Sequence, residues 1–137
     1  MFSISCAFDK ESGVDAMDPF GDIRLTDGRS TILIPSTYLD SWLKALVKAL
    51  DQVRNGTSFA VAIPEEPKPL QIDVGIDGII TVRHGGETVV AEDSHAFEGA
   101  LRVVCKTFIG RLSHLSEAFS NPAITAIRRF YQANAQP

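Results

Sequence analysis

Residues 70–90, with the sequence LQIDVGIDGIITVRHGGETVV, carry the clearest fold signal in this chain of 137 residues. Apolar and polar side chains alternate there in three short runs, as in strands that bury one face. A three-residue loop at 76–78 would place Gly78 at the left-handed position that such loops need, and would pair Val74 with Ile80. The stretch therefore predicts antiparallel strands with a defined register.

The second turn of this segment is predicted at Gly85-Gly86, where it would set His84 opposite Glu87. The result is a three-stranded meander whose two faces differ in polarity. One face carries the apolar side chains of Ile72, Val74, Ile80, Val82 and Val89. The other carries the polar side chains of Gln71, Asp73, Thr81, Arg83 and Thr88. We expect the apolar face to pack on a core and the polar face to meet solvent or a partner.

Two further strands are predicted on the N-terminal side of the meander. Residues 2–8 alternate, with Phe2, Ile4, Cys6 and Phe8 on one face, which indicates a strand with one buried side. Residues 58–63 are apolar on both faces, so we expect a central strand there.

A hairpin is predicted over residues 22–34, around the dipeptide Asp27-Gly28. Aspartate and glycine tolerate the positive φ angles of a two-residue turn. Such a turn would pair Ile23 with Ile32.

Three helices are predicted from apolar stripes at helical spacing. Side chains that can cap a helix mark each beginning. The predicted starts are Ser36 or Thr37 for the first helix, Asp93 or Ser94 for the second, and Asn121 for the third.

The order of these elements is β-β-β-α-β-β-β-β-α-α, which is typical of α+β folds. We predict one antiparallel sheet of six or seven strands with the helices packed on one of its faces. The length fits a single domain over residues 1–137.

Composition narrows the function classes. The net charge is −4, and the 13 lysines and arginines are scattered, which argues against a nucleic-acid partner. No run of 18 apolar residues occurs, so we expect no membrane partner. The two cysteines have neither disulfide-framework nor metal spacing, which favours the cytoplasm.

His84 and His95 are the candidates for acid–base or metal chemistry. Facing Glu87, His84 could act as a general base, although a histidine–carboxylate pair is also typical of a hairpin tip. His95 follows Glu92 and Asp93, which could bind a metal or could instead favour the helix dipole. Because no nucleophile or metal partner is placed nearby, we favour the structural roles and predict no cofactor and no metal.

The acidic loop before the hairpin is the other candidate. Asp15 and Asp18 do not have the spacing of a calcium loop, while Phe20 is unusual for a solvated segment and could anchor a partner. The predicted binding residues are Asp15, Asp18, Phe20, Asp73, Arg83, His84 and Glu87.

The chain contains no dinucleotide-binding, P-loop, nucleophile-elbow or zinc-protease motif. As a small acidic α+β protein without a catalytic set, it resembles in outline the immunity proteins that neutralise cognate toxins. The resemblance implies binding to a cognate protein and assigns no residues. We therefore predict a non-enzymatic protein-interaction module, of immunity or regulatory type.

Two alternatives remain open. The chain could be a small-molecule binder or an enzyme, with a pocket between sheet and helices lined by Trp42, Phe97, Phe108 and His84 or His95. It could also pair with itself as a homodimer, through the meander or through the last helix.

Overall fold

The computed structural model describes residues 1–9, 19–64, 66–112 and 121–135, and the side chains as far as residue 132. Seven strands and three helices lie within these ranges, in the predicted order. The strands are β1 (Ser3–Phe8), β2 (Phe20–Thr26), β3 (Thr31–Tyr38), β4 (Phe59–Val61), β5 (Leu70–Val74), β6 (Ile80–His84) and β7 (Glu87–Ala91). The helices are α1 (Leu39–Arg54), α2 (Ser94–Leu112) and α3 (Pro122–Ala135). The fold class is α+β, as predicted.

The strands form two antiparallel sheets rather than one. The order is β1-β2-β3 in the first sheet and β4-β5-β6-β7 in the second, so the prediction of a single sheet was wrong. The edge strands β3 and β7 lie next to each other. In a continuous sheet, the amide of Val90 in β7 would donate to a carbonyl of the neighbouring strand. Here it donates instead to the Asp27 carboxylate, at 3.0 Å. A side chain of the β2–β3 turn therefore takes the place of a ladder hydrogen bond.

The β2–β3 hairpin also differs from its prediction in register. Ile23 pairs with Ile34 rather than with Ile32, and residues 27–30 form a longer turn. The Asp27 carboxylate stabilises this turn by accepting hydrogen bonds from the amides of Arg29 and Ser30, at 2.8 and 2.7 Å. Because the register differs by two residues, the same side chains remain on the buried face.

The meander of β5, β6 and β7 has the predicted registers. Val74 pairs with Ile80 and His84 pairs with Glu87. The glycines of both turns have positive φ angles: 87° at Gly78, 59° at Gly85 and 89° at Gly86. Two turns that glycine alone adopts easily thus fix the alignment of three strands.

Strand β4 lies at the edge of its sheet, so the prediction of a central strand at 58–63 was wrong. It has three residues and pairs with β5 alone among the described strands. Pro64, Pro67 and Pro69 follow it closely. Since proline cannot donate to a ladder, the pairing ends early.

Helix α1 begins at Leu39, later than predicted, because Ser36 (φ 53°) still lies in β3 and no side chain caps the start. The other two predicted caps are confirmed. Asp93 accepts a hydrogen bond from the Ala96 amide at 2.8 Å, and Asn121 accepts one from the Ala123 amide at 2.9 Å. A short polar side chain at the N-cap satisfies an amide that the helix itself cannot.

The core lies between the two sheets and the helices. Helix α1 contacts β2 in one sheet and β4 and β5 in the other, while α2 contacts β1 and β7. Buried residues from both sheets and all three helices form one hydrophobic cluster. Helix α2 runs along β1 in the same direction, since Phe2 stacks on Phe97 and Phe8 stacks on Phe108. The helices thus cover the inner face of both sheets and leave the opposite face exposed.

Candidate interaction surface

The exposed sheet face is built by strand alternation. In the meander, Ile72, Val82 and Val89 are buried, whereas the residues that alternate with them point away from the core. Three of these, Gln71, Arg83 and Thr88, occupy one cross-strand row of exposed side chains. The sequence predicted this row from the period of two alone.

An ion pair joins Arg83, the middle residue of this row, to Asp73 in the neighbouring row. Nη1 of Arg83 lies 2.5 Å from Oδ2 of Asp73, and the two side chains are 52% and 49% exposed. Exposed pairs of this kind contribute about 0–1 kcal/mol to stability, so the fold does not depend on it. Two shallow depressions of about 340 and 440 Å³ adjoin the pair, and Gln71 and Arg83 line both. A guanidinium and a carboxylate are therefore held side by side where a partner can reach them.

Large apolar side chains share this face. Leu33 of β3 is 56% exposed, Val90 of β7 is 39% exposed, and Ile79, directly before β6, is 40% exposed. Leu33 follows the buried Ile32, Ile79 precedes the buried Ile80, and Val90 lies between two buried residues, so each points away from the core. We call the set Leu33, Gln71, Asp73, Ile79, Arg83, Thr88 and Val90 the outer sheet face.

His84 points to the opposite side of the sheet. Its ring meets the ring of Trp42 edge to face, with the centroids 5.1 Å apart. Its Nε2 is buried and has no hydrogen-bond partner among the described residues. Glu87, its cross-strand neighbour, is exposed at the turn. The His84 ring thus packs on the opposite side of the sheet from the Asp73–Arg83 pair, although His84, Glu87 and Arg83 all line the depression of about 340 Å³.

The polar end of Trp42 is held by a small network. Its Nε1 donates to Oγ1 of Thr37 at 3.2 Å, and that hydroxyl donates to Oε1 of Glu66 at 3.1 Å. The indole itself is fully buried. Because the His84 ring packs on this fixed indole, the tip of the β6–β7 hairpin is attached to α1. The arrangement therefore positions the hairpin relative to α1.

Phe20 is the remaining predicted site residue within the described part of the chain. Phe20 belongs to the three-stranded sheet, where its ring meets that of Tyr38 edge to face at 5.3 Å. Asp15 and Asp18 lie outside the described residues. Their role in binding therefore stays a prediction.

His95, the second histidine, is exposed at the start of α2 and lines a groove together with Glu92. Asp93 caps α2, and no group of three metal-ligating side chains occurs within the described ranges. Trp42, Phe97 and Phe108 are fully buried and fill the space between sheets and helices.

Neither thiol is poised for reaction. Burial raises the pKa of Cys6 to about 11, against a smaller opposite effect of the Arg111 charge. Burial also raises the pKa of Cys105, to about 12, and the neighbouring Cys6 contributes in the same direction. Since the thiolate is the reactive form, both groups stay inert near neutral pH.

Three residues of the outer sheet face were missed by the sequence analysis: Leu33, Ile79 and Val90. Each stands next to another apolar residue, in Ile32-Leu33-Ile34, Ile79-Ile80 and Val89-Val90. Two consecutive apolar residues in a strand must point to opposite faces. In a sheet with helices on one side, such a pair indicates that one of the two apolar residues lies on the exposed face.

No protein-family model, curated protein or solved structure gives a significant match to this chain. None of the described helices has the length and the apolar character needed to cross a membrane.

Proposed function

We propose that this protein is a non-enzymatic interaction module that binds a cognate protein through the outer sheet face. The observation that carries the proposal is the combination of Leu33, Ile79 and Val90 with the half-exposed Asp73–Arg83 pair on the sheet face that no described helix covers. Exposed apolar residues grouped in this way mark interaction sites more often than scattered ones do.

The composition of this face fits what protein interfaces need. Exposed apolar side chains supply favourable burial, at roughly 25 cal/mol per Å² of apolar surface removed from water. Arginine is among the residues that most often dominate binding energy, and charged groups near an interface improve specificity and association rate. Arg83 can keep Asp73 as its partner or exchange it for a carboxylate of the bound protein. The ion pair would thus select a partner while the apolar residues supply affinity.

An immunity-type or regulatory role follows from binding by a rigid surface. The three strands of the meander are aligned by glycine turns and attached to α1 through Trp42. A preformed face loses little conformational entropy on binding, so it can occlude the working surface of another protein with high affinity. We propose that this occlusion is the biological activity.

Affinity purification from the source cells with quantitative mass spectrometry tests the proposal. The baits are the wild-type protein, Leu33→Glu, Arg83→Glu and the control Lys48→Glu. Lys48 is exposed on α1, on the helix side of the molecule, so its reversal changes the net charge as Arg83→Glu does. We expect a protein recovered in near-equal amount with the wild type and with Lys48→Glu, and reduced at least tenfold with both face variants.

Thermal unfolding of all four baits excludes a trivial loss through misfolding. Because Leu33 and Arg83 are exposed, we expect each free energy of unfolding to stay within about 0.5–1 kcal/mol of the wild type. Recovery of the same partner with both face variants would refute the assignment of this surface. Recovery of no stoichiometric protein would refute the function itself.

A further inference from the structure

Strand β1 has a free edge within the described part of the chain. It pairs with β2 on one side and with no described strand on the other. Natural edge strands are usually protected by lysine, proline, a bulge or a very short length. β1 has six residues, SISCAF, with no charge and no proline, and its register with β2 is continuous. Its outward side chains, Ser3, Ser5 and Ala7, are small. Such an edge is open to another strand.

An apolar groove lies beside this edge, between β1 and α2. It has a volume of about 430 Å³, and Met1, Ile4, Ala96 and Val103 line it. The Val103 side chain is 65% exposed, which is unusual for a large apolar residue in a helix that packs on a core. The groove therefore offers apolar surface directly next to the unpaired strand edge.

An acidic side chain lies at one end of this surface and a basic side chain at the other. Glu92 lines the groove at the end that holds Met1. At the other end of β1, the guanidinium of Arg111 lies over the ring of Phe8, 5.5 Å from its centroid. Six strand residues separate these ends by about 20 Å. A carboxylate therefore lies at one end, beside the Met1 ammonium and the exposed His95, and a guanidinium lies at the other end, with apolar surface between them.

We propose that two copies of this chain form a symmetric dimer in which their β1 strands pair antiparallel and their α2 helices lie side by side. A twofold axis near the middle of β1 sets Glu92 of each copy near Arg111 of the other. It also sets the exposed Val103 of one copy toward that of the second. After a twofold rotation, Glu92 of one copy faces Arg111 of the other, so this surface fits a second copy of the same chain. A symmetric interface of this kind is closed, because both copies use the same surface.

Sedimentation equilibrium tests this dimer on the full chain, from about 1 µM to about 500 µM. We expect the wild type to reach twice the chain mass of 14.9 kDa within this range. Val103→Glu buries a charge in the interface and should weaken dimerisation at least tenfold. The matched control is Ile76→Glu, at a fully exposed residue of the β5–β6 loop, which should leave the dissociation constant unchanged.

A charge swap keeps the test valid if Val103→Glu unfolds the chain. Glu92→Arg and Arg111→Glu should each weaken the dimer, and the double variant should recover most of the wild-type dissociation constant, since it restores both pairs in reversed order. A wild type that stays monomeric at every concentration would overturn the proposal. So would a dimer that neither Val103→Glu nor Glu92→Arg weakens. Neither result bears on the outer sheet face, which lies on different residues.

Discussion

The carboxylate of Asp27 accepts a hydrogen bond from the backbone amide of Val90, 63 residues away in the sequence. The same carboxylate closes the β2–β3 turn through the amides of Arg29 and Ser30. One side chain therefore shapes a hairpin and connects it to the second sheet. This connection also holds the outer sheet face together, because Leu33 lies on one side of the junction and Val90 on the other.

Replacement of Asp27 by alanine should lower the free energy of unfolding by about 1–3 kcal/mol. The variant loses the acceptor of three backbone amides, of which the Val90 amide joins two sheets. Urea denaturation followed by circular dichroism measures the change. Asp51→Ala is the control, because Asp51 is an exposed aspartate of α1 whose nearest cation, Arg54, is 4.0 Å away. Equal stability of the two variants would show that the Asp27 hydrogen bonds do not stabilise the fold.

The contribution of Asp27 to the free energy of unfolding should also depend on pH. Hydrogen bonds from Ser30 first, and then from Arg29, lower its pKa below the ordinary 3.8. A carboxyl group with a depressed pKa in the folded state stabilises the protein above the unfolded pKa, and this contribution is lost as the pH falls through the folded value. The stability difference between the wild type and Asp27→Asn should therefore be constant from about pH 5 to 7 and shrink below about pH 4. A difference that does not change with pH would contradict this.

Asn121→Ala should destabilise the protein by about 2–3 kcal/mol. Asn121 caps α3 through the Ala123 amide, and its Nδ2 donates to Oδ2 of Asp40 in α1 at 3.0 Å, in a buried position. The variant removes the cap and a hydrogen bond to a buried carboxylate. Chemical denaturation compares it with Asn55→Ala, at the exposed C-terminal end of α1, which should cost less than about 0.5 kcal/mol. A similar cost for both would count against a connection of α3 to α1 through Asn121.

Thiol titration should find both cysteines protected in the native state. Burial raises the pKa of Cys6 to about 11 and of Cys105 to about 12, so the thiolate fraction at pH 8 is about one in a thousand or less. We expect slow reaction with an aromatic disulfide reagent in buffer and rapid reaction of two thiols per chain in denaturant. A Cys6→Ser variant separates the two sites. Rapid labelling of the native wild type at pH 8 would contradict the burial of these groups.

The meander could be predicted because each of its constraints is local. Gly78, Gly85 and Gly86 mark turns whose geometry fixes the register without reference to the rest of the chain. The β2–β3 register could not be predicted in the same way. Two registers bury the same side chains, and the choice between them depends on Asp27, whose carboxylate also serves a distant strand.

The same contrast applies to the candidate surface. Asp73 and Arg83 were identified because polar residues at alternate positions must lie on one face. Leu33, Ile79 and Val90 were missed because apolar residues in strands are assigned to a core by default. Whether a second layer covers these residues depends on where the helices pack. The periodicity of a strand carries no information about helix positions. Strand periodicity predicted the cross-strand pair of His84 with Glu87, whereas the contact of His84 with Trp42 joins two distant elements.

The parallel course of β1 and α2 has a consequence for the time course of folding. The aromatic stacks of Phe2 with Phe97 and of Phe8 with Phe108 join the first strand to a helix roughly 100 residues later. Synthesis adds about 5–20 residues per second, so the buried face of β1 stays exposed for about 5–20 s until α2 has been made. An uncharged strand whose edge stays unpaired for this time can form non-native pairs with other strands. A nascent chain of this protein should therefore depend on chaperone protection of its first residues more than its small size alone would suggest.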